Sequence, residues 1–478
     1  MEEQIRVRFA PSPTGHLHIG NARTAILNWI FAQKSGGTFV LRIEDTDVER
    51  SSLKSENSIF DDLKWLGLDW HEGPDVGGDE GPYRQSERLE IYKENLDLLK
   101  KKERAYPCFC SEAELEKKRK AAIARGENPD YDRKCLKLSQ AERENLIQSG
   151  QKASWRFYVR PGEVSWCDLV KDELRFETEN FGDFIIMRPD GTPTYNFAAA
   201  VDDGLMKISH VIRGDDHASN TPKQILLYES LDWTPPTFCH IPMILGPDRA
   251  RLSKRHGATS IHEFKLKGYL PEALINFLSL LSWSSETGDE ILSVDRLINE
   301  FDFERMNKSP AIFDLTKFNW MNAYYIRNME LDRLVDTTIP YLRETKIDTS
   351  DRARLKKIIE LVRDKAESLT QIRELVEPFY EERVQLTDGK TIALSSKDSS
   401  QKVYWAFLRY LESYDTVEAK TFRSIMKQVQ KETGVMGKDL WMPIRVALTG
   451  QLHGPDLAMV AEILGKDTCQ KLVKNLLV

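Results

Sequence analysis

Four cations within seven residues, Arg249, Arg251, Lys254 and Arg255 in GPDRARLSKRHG (246–257), are the sharpest chemical feature of this 478-residue sequence. Like charges at that density repel one another, so the loop asks for an anion to face. A second anion-seeking feature lies near the start, where HLHIGN (16–21) follows Pro11, Pro13 and Gly15. Apolar residues at helical spacing begin there at about Leu17. This puts His18, Gly20 and Asn21 at a helix N-terminus, where free N–H groups and the positive end of the dipole attract a phosphate. Alone, His18 reads more simply as a satisfied polar side chain; the cationic loop turns the reading toward a phosphate-bearing ligand.

The elements that must position these residues are strand–turn–helix units. Ile5, Val7 and Phe9 alternate with Arg6, Arg8 and Ala10, the period of a half-buried strand with Arg6 and Arg8 on the face away from the apolar residues. The helix that follows runs to Gly36-Gly37. TFVLRI (38–43) predicts a second strand with Glu44, Asp45 and Asp47 at its C-terminal end, where open α/β sheets bind ligands. Asp47 reads as a helix cap and Glu44 as the site candidate, close to Arg8 and His18. An apolar run at 195–200 ends in Val201-Asp202-Asp203. SHVIR (209–213) predicts a strand followed by Asp215, Asp216 and His217, Thr221-Pro222 opens a helix, and 241–245 is a further strand before the cationic loop.

Between these halves, the turn-rich GPDVGGDEGP (73–82) marks a boundary, and a helix is expected over 86–101. Six cysteines lie at 108, 110, 135, 167, 239 and 469, a distribution unlike a disulfide framework. Cys108, Cys110 and Cys135 supply most of a tetrahedral zinc site, and ordinary buried thiols are the competing reading. Residues 153–187 alternate short β-like runs with Pro and Gly, as a small inserted domain would. Beyond Gly257 the pattern is mainly helical, with SSKDSSQ (395–401) as a polar linker between two helical blocks. Gly389-Lys390-Thr391 imitates a P-loop ending, but Val384 stands where the earlier glycine is required.

A chain this long suggests three to five domains. No apolar run reaches membrane-spanning length and MEEQIRVR has no hydrophobic core of its own, so a soluble, cytoplasmic protein is expected. A net charge of −7 argues against indiscriminate nucleic-acid binding. Any RNA must meet local patches such as Lys100-Lys101-Lys102, KKRK (117–120), or Lys356-Lys357 with Arg363; the plainer reading of each is a solvated helix face.

HIGN (18–21) with RLSKR (251–255) resembles the paired HIGH and KMSKS motifs of class I aminoacyl-tRNA synthetases. Together with LRIEDTD (41–47), GPYRQSERL (81–89), PTYNFA (193–198) and VIRGDDH (211–217), they make nearly the whole chain resemble bacterial-type glutamyl-tRNA synthetases. The resemblance implies an α/β fold with a Rossmann-type catalytic domain over 1–80 and 187–245 and an acceptor-binding insertion over 81–186. A stem-contact domain over 246–325 and all-α anticodon-binding domains over 326–385 and 386–478 would follow.

The implied activity joins L-glutamate, activated by ATP with Mg2+, to the 3′ adenosine of tRNA(Glu). His18, Gly20, Asn21 and Lys254 would hold ATP, with Arg251, Ser253 and Arg255 completing the catalytic loop. Arg8, Ala10, Ser12, Glu44, Tyr195 and Arg213 would hold glutamate, the arginines as bidentate carboxylate partners and Glu44 on the α-ammonium. Two departures stand out: Arg251 replaces the first Lys of KMSKS, and Asn21 the second His of HIGH. Some relatives place a fourth zinc ligand, His, where this chain has Lys137, and Tyr131 matches the ligand of a relative that modifies tRNA(Asp). A glutaminyl enzyme, a glutamyl enzyme that also charges tRNA(Gln), and a non-catalytic tRNA-binding relative are the alternatives. The C-terminal stretch at 441–457 resembles glutamyl enzymes, whereas glutaminyl enzymes are expected to end in β-barrels. A monomer is expected.

Overall fold

Short apolar runs bounded by turn residues become strands of a largely parallel sheet, and that sheet organises the first half of the chain. The computed structural model describes residues 4–47, 52–127, 129–343, 345, 347–381, 383–384, 386 and 388–477, and of Lys254 the backbone alone. Two compact units are present: Met1–Phe264 with Leu274–Asp314, and Lys265–Ala273 with Leu315–Val478. In chain order the principal strands are β1 (Arg6–Phe9), β2 (Thr38–Leu41), β3 (Ala105–Cys108), β4 (Ser154–Phe157), β5 (Glu163–Asp168), β6 (Asp172–Glu177), β7 (Phe184–Met187), β8 (His210–Gly214) and β9 (Thr237–Ile241). A six-stranded sheet has the order β2-β1-β8-β9-β5-β6, parallel except for the β5–β6 hairpin. β3, β4 and β7 form a separate antiparallel sheet.

The half-buried reading of β1 is corrected: all four of its residues are buried, because the strand lies between β2 and β8 in a parallel sheet. Its arginines are accommodated by ion pairing rather than exposure. Arg6 donates to both Glu72 carboxylate oxygens at 2.8 and 2.9 Å, and Arg8 donates to both oxygens of Asp203 at 3.0 and 3.2 Å. The apolar run at 195–200 is the start of a helix, Tyr195–Leu205, whose end carries Asp202 and Asp203 into the core. Arg42, fully buried, bonds Asp203 at 2.6 Å and Glu44 at 3.2 Å, while Asp202 accepts from Arg88, Gln85 and Tyr92 at 2.7–2.9 Å.

Those partners tie Gln85, Arg88 and Tyr92, which follow the boundary expected at 80/81, to the core beside the parallel sheet, and β5–β6 extends that sheet's edge. The glycine-rich turn is a loop that returns to the sheet, with Leu41 N–H donating to Glu72 and Ile43 N–H to Tyr83. The second unit is built of helices, and SSKDSSQ is no linker there. Ser395 closes the helix Gly389–Ser395, Asp398 opens Asp398–Glu412, and the buried Ser400 hydroxyl donates to Leu394 O at 2.7 Å. Short hydroxyl side chains turn the backbone by bonding it, which a polarity count mistakes for exposure. In the basic runs, Lys118 pairs with Glu114 and Asp132, Lys100 with Asp97, and Lys356 with Asp332. Among the described residues no helix is long and apolar enough to cross a membrane.

The buried pairs and the surface pairs should separate sharply on mutation. Arg88→Ala, which strips a cation from fully buried Asp202, should cost about 3–5 kcal/mol in chemical denaturation. Lys356→Ala at its solvated pair should cost less than about 1 kcal/mol.

Candidate active site

A cavity of about 380 Å³ opens beyond the C-terminal ends of β1 and β8, where ligands of open parallel sheets bind. It brings together Arg8, Ala10, Ser12, His18, Gly20, Asn21, Glu44, Tyr195, Arg213 and Arg251, residues drawn from sequence stretches far apart. Ser253 and Arg255 are instead engaged within their own loop, and the Lys254 side chain lies outside the described residues.

His18 is the N-cap of the helix Ile19–Ser35. Its Nδ1 accepts the Gly20 N–H at 3.2 Å, which places the ring proton on Nε2. Burial, reinforced by the Arg251 charge, holds its pKa below the usual imidazole range, so the ring is neutral and a donor. Backbone bonds stitch this stretch to the far end of the cationic loop: Ile19 N–H donates to Thr259 O and Ile261 N–H to Leu17 O, both at 2.9 Å. The two anion-seeking features therefore share one small piece of antiparallel pairing around His18 and Ser260.

Two carboxylates face the loop within the protein, Asp248 from the loop itself and Asp216 from the stretch after β8. Arg255 donates to Asp248 at 2.9 Å, with His256 Nε2 3.2 Å from the same carboxylate, and Arg251 donates to Asp216 at 3.2 Å. The Ala250 N–H and His256 hold the Asp248 carboxyl below the usual carboxylate range.

Deeper in, the arginines differ. Arg8 spends Nε and Nη2 on Asp203, so its bidentate capacity serves the protein rather than a ligand. Burial pushes Asp203 up, but Arg42 and Arg8 more than offset it and hold the carboxyl low. Burial raises Glu44, against the opposing pull of Arg42. Arg213 is equally buried, yet its bonds go to neutral groups: Nε to His240 Nε2 at 3.2 Å, and Nη2 to Thr221 Oγ1 at 2.7 Å and His217 O at 3.4 Å. Its Nη1 is buried with no hydrogen-bond partner among the described residues, and burial lowers the pKa of the guanidinium. Tyr195 OH lies 3.1 Å from His217 Nδ1, and burial beside Arg213 brings His217 down to about 4. Sequence reasoning passed over Asp203, Arg42, Thr221 and His240; the paired acids closing the 195–203 run were the one visible signal.

Away from the cavity, the sulfurs of Cys108, Cys110 and Cys135 lie within 4.8 Å of one another. Cys110 Sγ is 3.6 Å from Cys135 Sγ and 3.4 Å from Tyr131 OH. Zinc–sulfur bonds of about 2.3 Å set tetrahedral ligands about 3.8 Å apart, so the three thiols and Tyr131 fit such an ion.

A neutral histidine at a helix N-cap lies at the ends of a parallel sheet, its flanking backbone bonded to Thr259 and Ile261 just past a cationic loop, the arrangement of a class I synthetase catalytic domain. Residues 4–320 match the family described as tRNA synthetases class I (E and Q), catalytic domain, and residues 333–477 match the anticodon binding domain family. The chain is 48% identical over 481 residues to glutamate–tRNA ligase 2 of Caldanaerobacter subterraneus subsp. tengcongensis, covering 99% of each. It is 45% identical to glutamate–tRNA ligase of Bacillus subtilis (strain 168), covering 100% of each. The crystal structure of a glutamate tRNA ligase from Elizabethkingia meningosepticum in complex with its amino acid superposes with a TM-score of 0.90 at 32% identity over 99% of both chains. The chain belongs to the glutamate–tRNA ligase family.

The depressed histidines carry a pH signature. His217 titrates near 4 when folded, against about 6.5 unfolded, so between those values the unfolded chain binds more protons and stability rises with pH. The contribution is complete above about pH 6.5 and is lost as pH falls toward 4. Glu44 and Asp202, both raised, act with the opposite sign, so the comparison must be made between variants. The drop in Tm from pH 7.5 to 5 should be smaller in His217→Gln than in the wild type by a few degrees, read by calorimetry.

Proposed function

We propose that the chain activates L-glutamate with ATP and transfers it to the terminal adenosine of tRNA(Glu), and that Arg213 reads the substrate side chain. The observation that carries this is a buried guanidinium with an unpartnered Nη1 at a cavity whose other wall is a helix N-cap. In the first step a glutamate carboxylate oxygen attacks the α-phosphorus and pyrophosphate leaves. In the second a ribose hydroxyl attacks the acyl carbon and AMP leaves. Such transfers are driven by positioning and charge stabilisation, and no general base is called for.

His18 Nε2–H and the N–H group at Asn21 meet the phosphates from one side, with Gly20 lining the cavity and its own N–H held by His18. Arg251 meets them from the other, joined by Lys254 from its place in the loop, with Ser253 and Arg255 shaping that loop. Mg2+ travels with the ATP phosphates. Glu44, a buried carboxylate, suits the α-ammonium, Ala10, Ser12 and Tyr195 shape the amino-acid pocket, and Arg8 lends charge while held by Asp203. A zinc ion would be held by Cys108, Cys110, Cys135 and Tyr131, bracing the segment around β3. Residues 246–325 would contact the tRNA stem, with anticodon recognition divided between 326–385 and 386–478. Cytoplasmic translation and a monomeric state complete the reading.

Arg213→Ala should cost glutamate at least a hundredfold in kcat/KM and glutamine far less, because removing one member of a desolvated charge pair strands the other. ATP–pyrophosphate exchange with both amino acids, tRNA present, reads this; an unchanged glutamate-to-glutamine ratio would return Arg213 to a role in the fold. Elemental analysis of protein purified without chelators should find one zinc per chain, lost in Cys110→Ser; metal-free active protein would leave the cysteines as buried thiols.

A further inference from the structure

We propose that Asp168 and His240 form a positioning relay that holds Arg213 in the orientation needed for glutamate. This rests on the assignment of Arg213 made above. The relay crosses three neighbouring strands: Asp168 ends β5, His240 lies on β9 directly opposite Arg213 on β8, and Asp168 pairs with β9 at Phe238. Asp168 and His240 side chains are fully buried, and their contact, Oδ2 to Nδ1, is 2.6 Å.

The hydrogen-bond polarity is determined from the arginine outward. Arg213 Nε always carries a hydrogen, so His240 Nε2, 3.2 Å away, must accept. The ring proton therefore sits on Nδ1 and is donated to Asp168. Asp168 is itself aimed by backbone donors: Oδ1 accepts from the N–H groups of Val170, Lys171 and His240 at 3.0, 3.0 and 3.2 Å, leaving Oδ2 to face the ring. Thr221 Oγ1, 2.7 Å from Arg213 Nη2 and 3.0 Å from His240 Nε2, closes the same small ring of bonds. Two of the three guanidinium nitrogens are thus held by groups that carry no charge, and the third, Nη1, is left for the ligand. A carboxylate placed directly on Arg213, as Asp203 is on Arg8, would occupy the fork that must read the substrate.

Asparagine at 168 gives an unusual test. Its oxygen must stay with the three backbone N–H groups, since an amide NH2 cannot accept them, so the NH2 is turned toward His240 Nδ1. That forces the ring proton onto Nε2, pointing at the Arg213 Nε–H, and donor meets donor. The substitution is nearly isosteric, yet it reverses the tautomer on which Arg213 depends.

Steady-state aminoacylation of tRNA(Glu), with KM for glutamate and ATP determined separately, reads the outcome. Asp168→Asn should raise KM for glutamate at least tenfold and leave KM for ATP within twofold. In a His240→Gln background, where there is no tautomer to reverse and Oε1 can still accept from Arg213, the same change should add less than threefold. An unchanged glutamate KM in Asp168→Asn, or a loss of kcat alone with a lowered melting temperature, overturns the relay. Should Asp168→Asn not fold, His240→Gln against His240→Leu decides: a near-normal glutamate KM in the first with a tenfold rise in the second supports it, and equal effects refute it. Arg213→Ala run alongside separates the two ideas. A collapsed glutamate-to-glutamine ratio there with a normal Asp168→Asn sinks the relay alone, whereas a preserved ratio in Arg213→Ala sinks the assignment of Arg213 and the relay with it.

Discussion

Charge buried in a parallel sheet must be matched or held in place by polar bonds, and the catalytic unit does both at neighbouring strand ends. On β1, Arg8 is met head-on by Asp203, which Arg42 also grips, so that arginine is locked and its fork spent. On β8, Arg213 is held at arm's length: a neutral imidazole and a threonine hydroxyl fix it, and the nearest carboxylate of that chain of bonds lies beyond the ring. The same residue type at the end of two adjacent strands therefore does two jobs, because one partner is charged and the other is not. A cation desolvated without a direct counter-ion is unstable by itself and strongly selective for an anionic ligand, which is the property a glutamate pocket requires.

The cationic loop follows a different logic. It lies at the surface, where Asp248 and Asp216 pair with Arg255 and Arg251. Those pairs are solvated and cheap to break, so a polyphosphate can draw the arginines away at little cost. Anchoring is left to the backbone: the bonds of Leu17 and Ile19 to 259–261 fix the loop's downstream end beside the N-cap His18. Buried, hydrogen-bonded charge at the strand ends and solvated pairing on the loop thus meet at one cavity.

Much of this was legible in the sequence. The strand–turn–helix at the start, the strand before Arg213, the cationic loop and the cysteine triplet all lie where their local patterns put them. What was not legible depends on partners remote in the chain. Alternation of apolar and charged residues in β1 suggested one wet face, because nothing local reveals that Arg8 will meet Asp203, 195 residues away. The glycine-rich turn at 73–82 looked like a domain boundary because turn chemistry reports a change of direction and not of domain. SSKDSSQ looked like a linker because serine is counted polar, although Ser400 is fully buried with its hydroxyl on a backbone carbonyl.

The β5–β6 hairpin shows the consequence of reading domains from local pattern alone. Expected from sequence within an inserted segment, it extends the sheet beside β9, and its last inward residue before the turn is Asp168. The contact between β5 and β9 is brief, one paired position at Asp168 and Phe238, so the hairpin is not there chiefly to lengthen the sheet. It carries a carboxylate to the back of His240 and pins it with the backbone N–H groups of its own turn, Val170 and Lys171. A side chain on a tight turn between paired strands has little freedom, so the aim of that carboxylate is set by the hairpin and passed through one ring to Arg213. Arg213 is thereby tied to an edge element outside the cavity, and changes in that edge can reach the cavity without touching any residue that lines it.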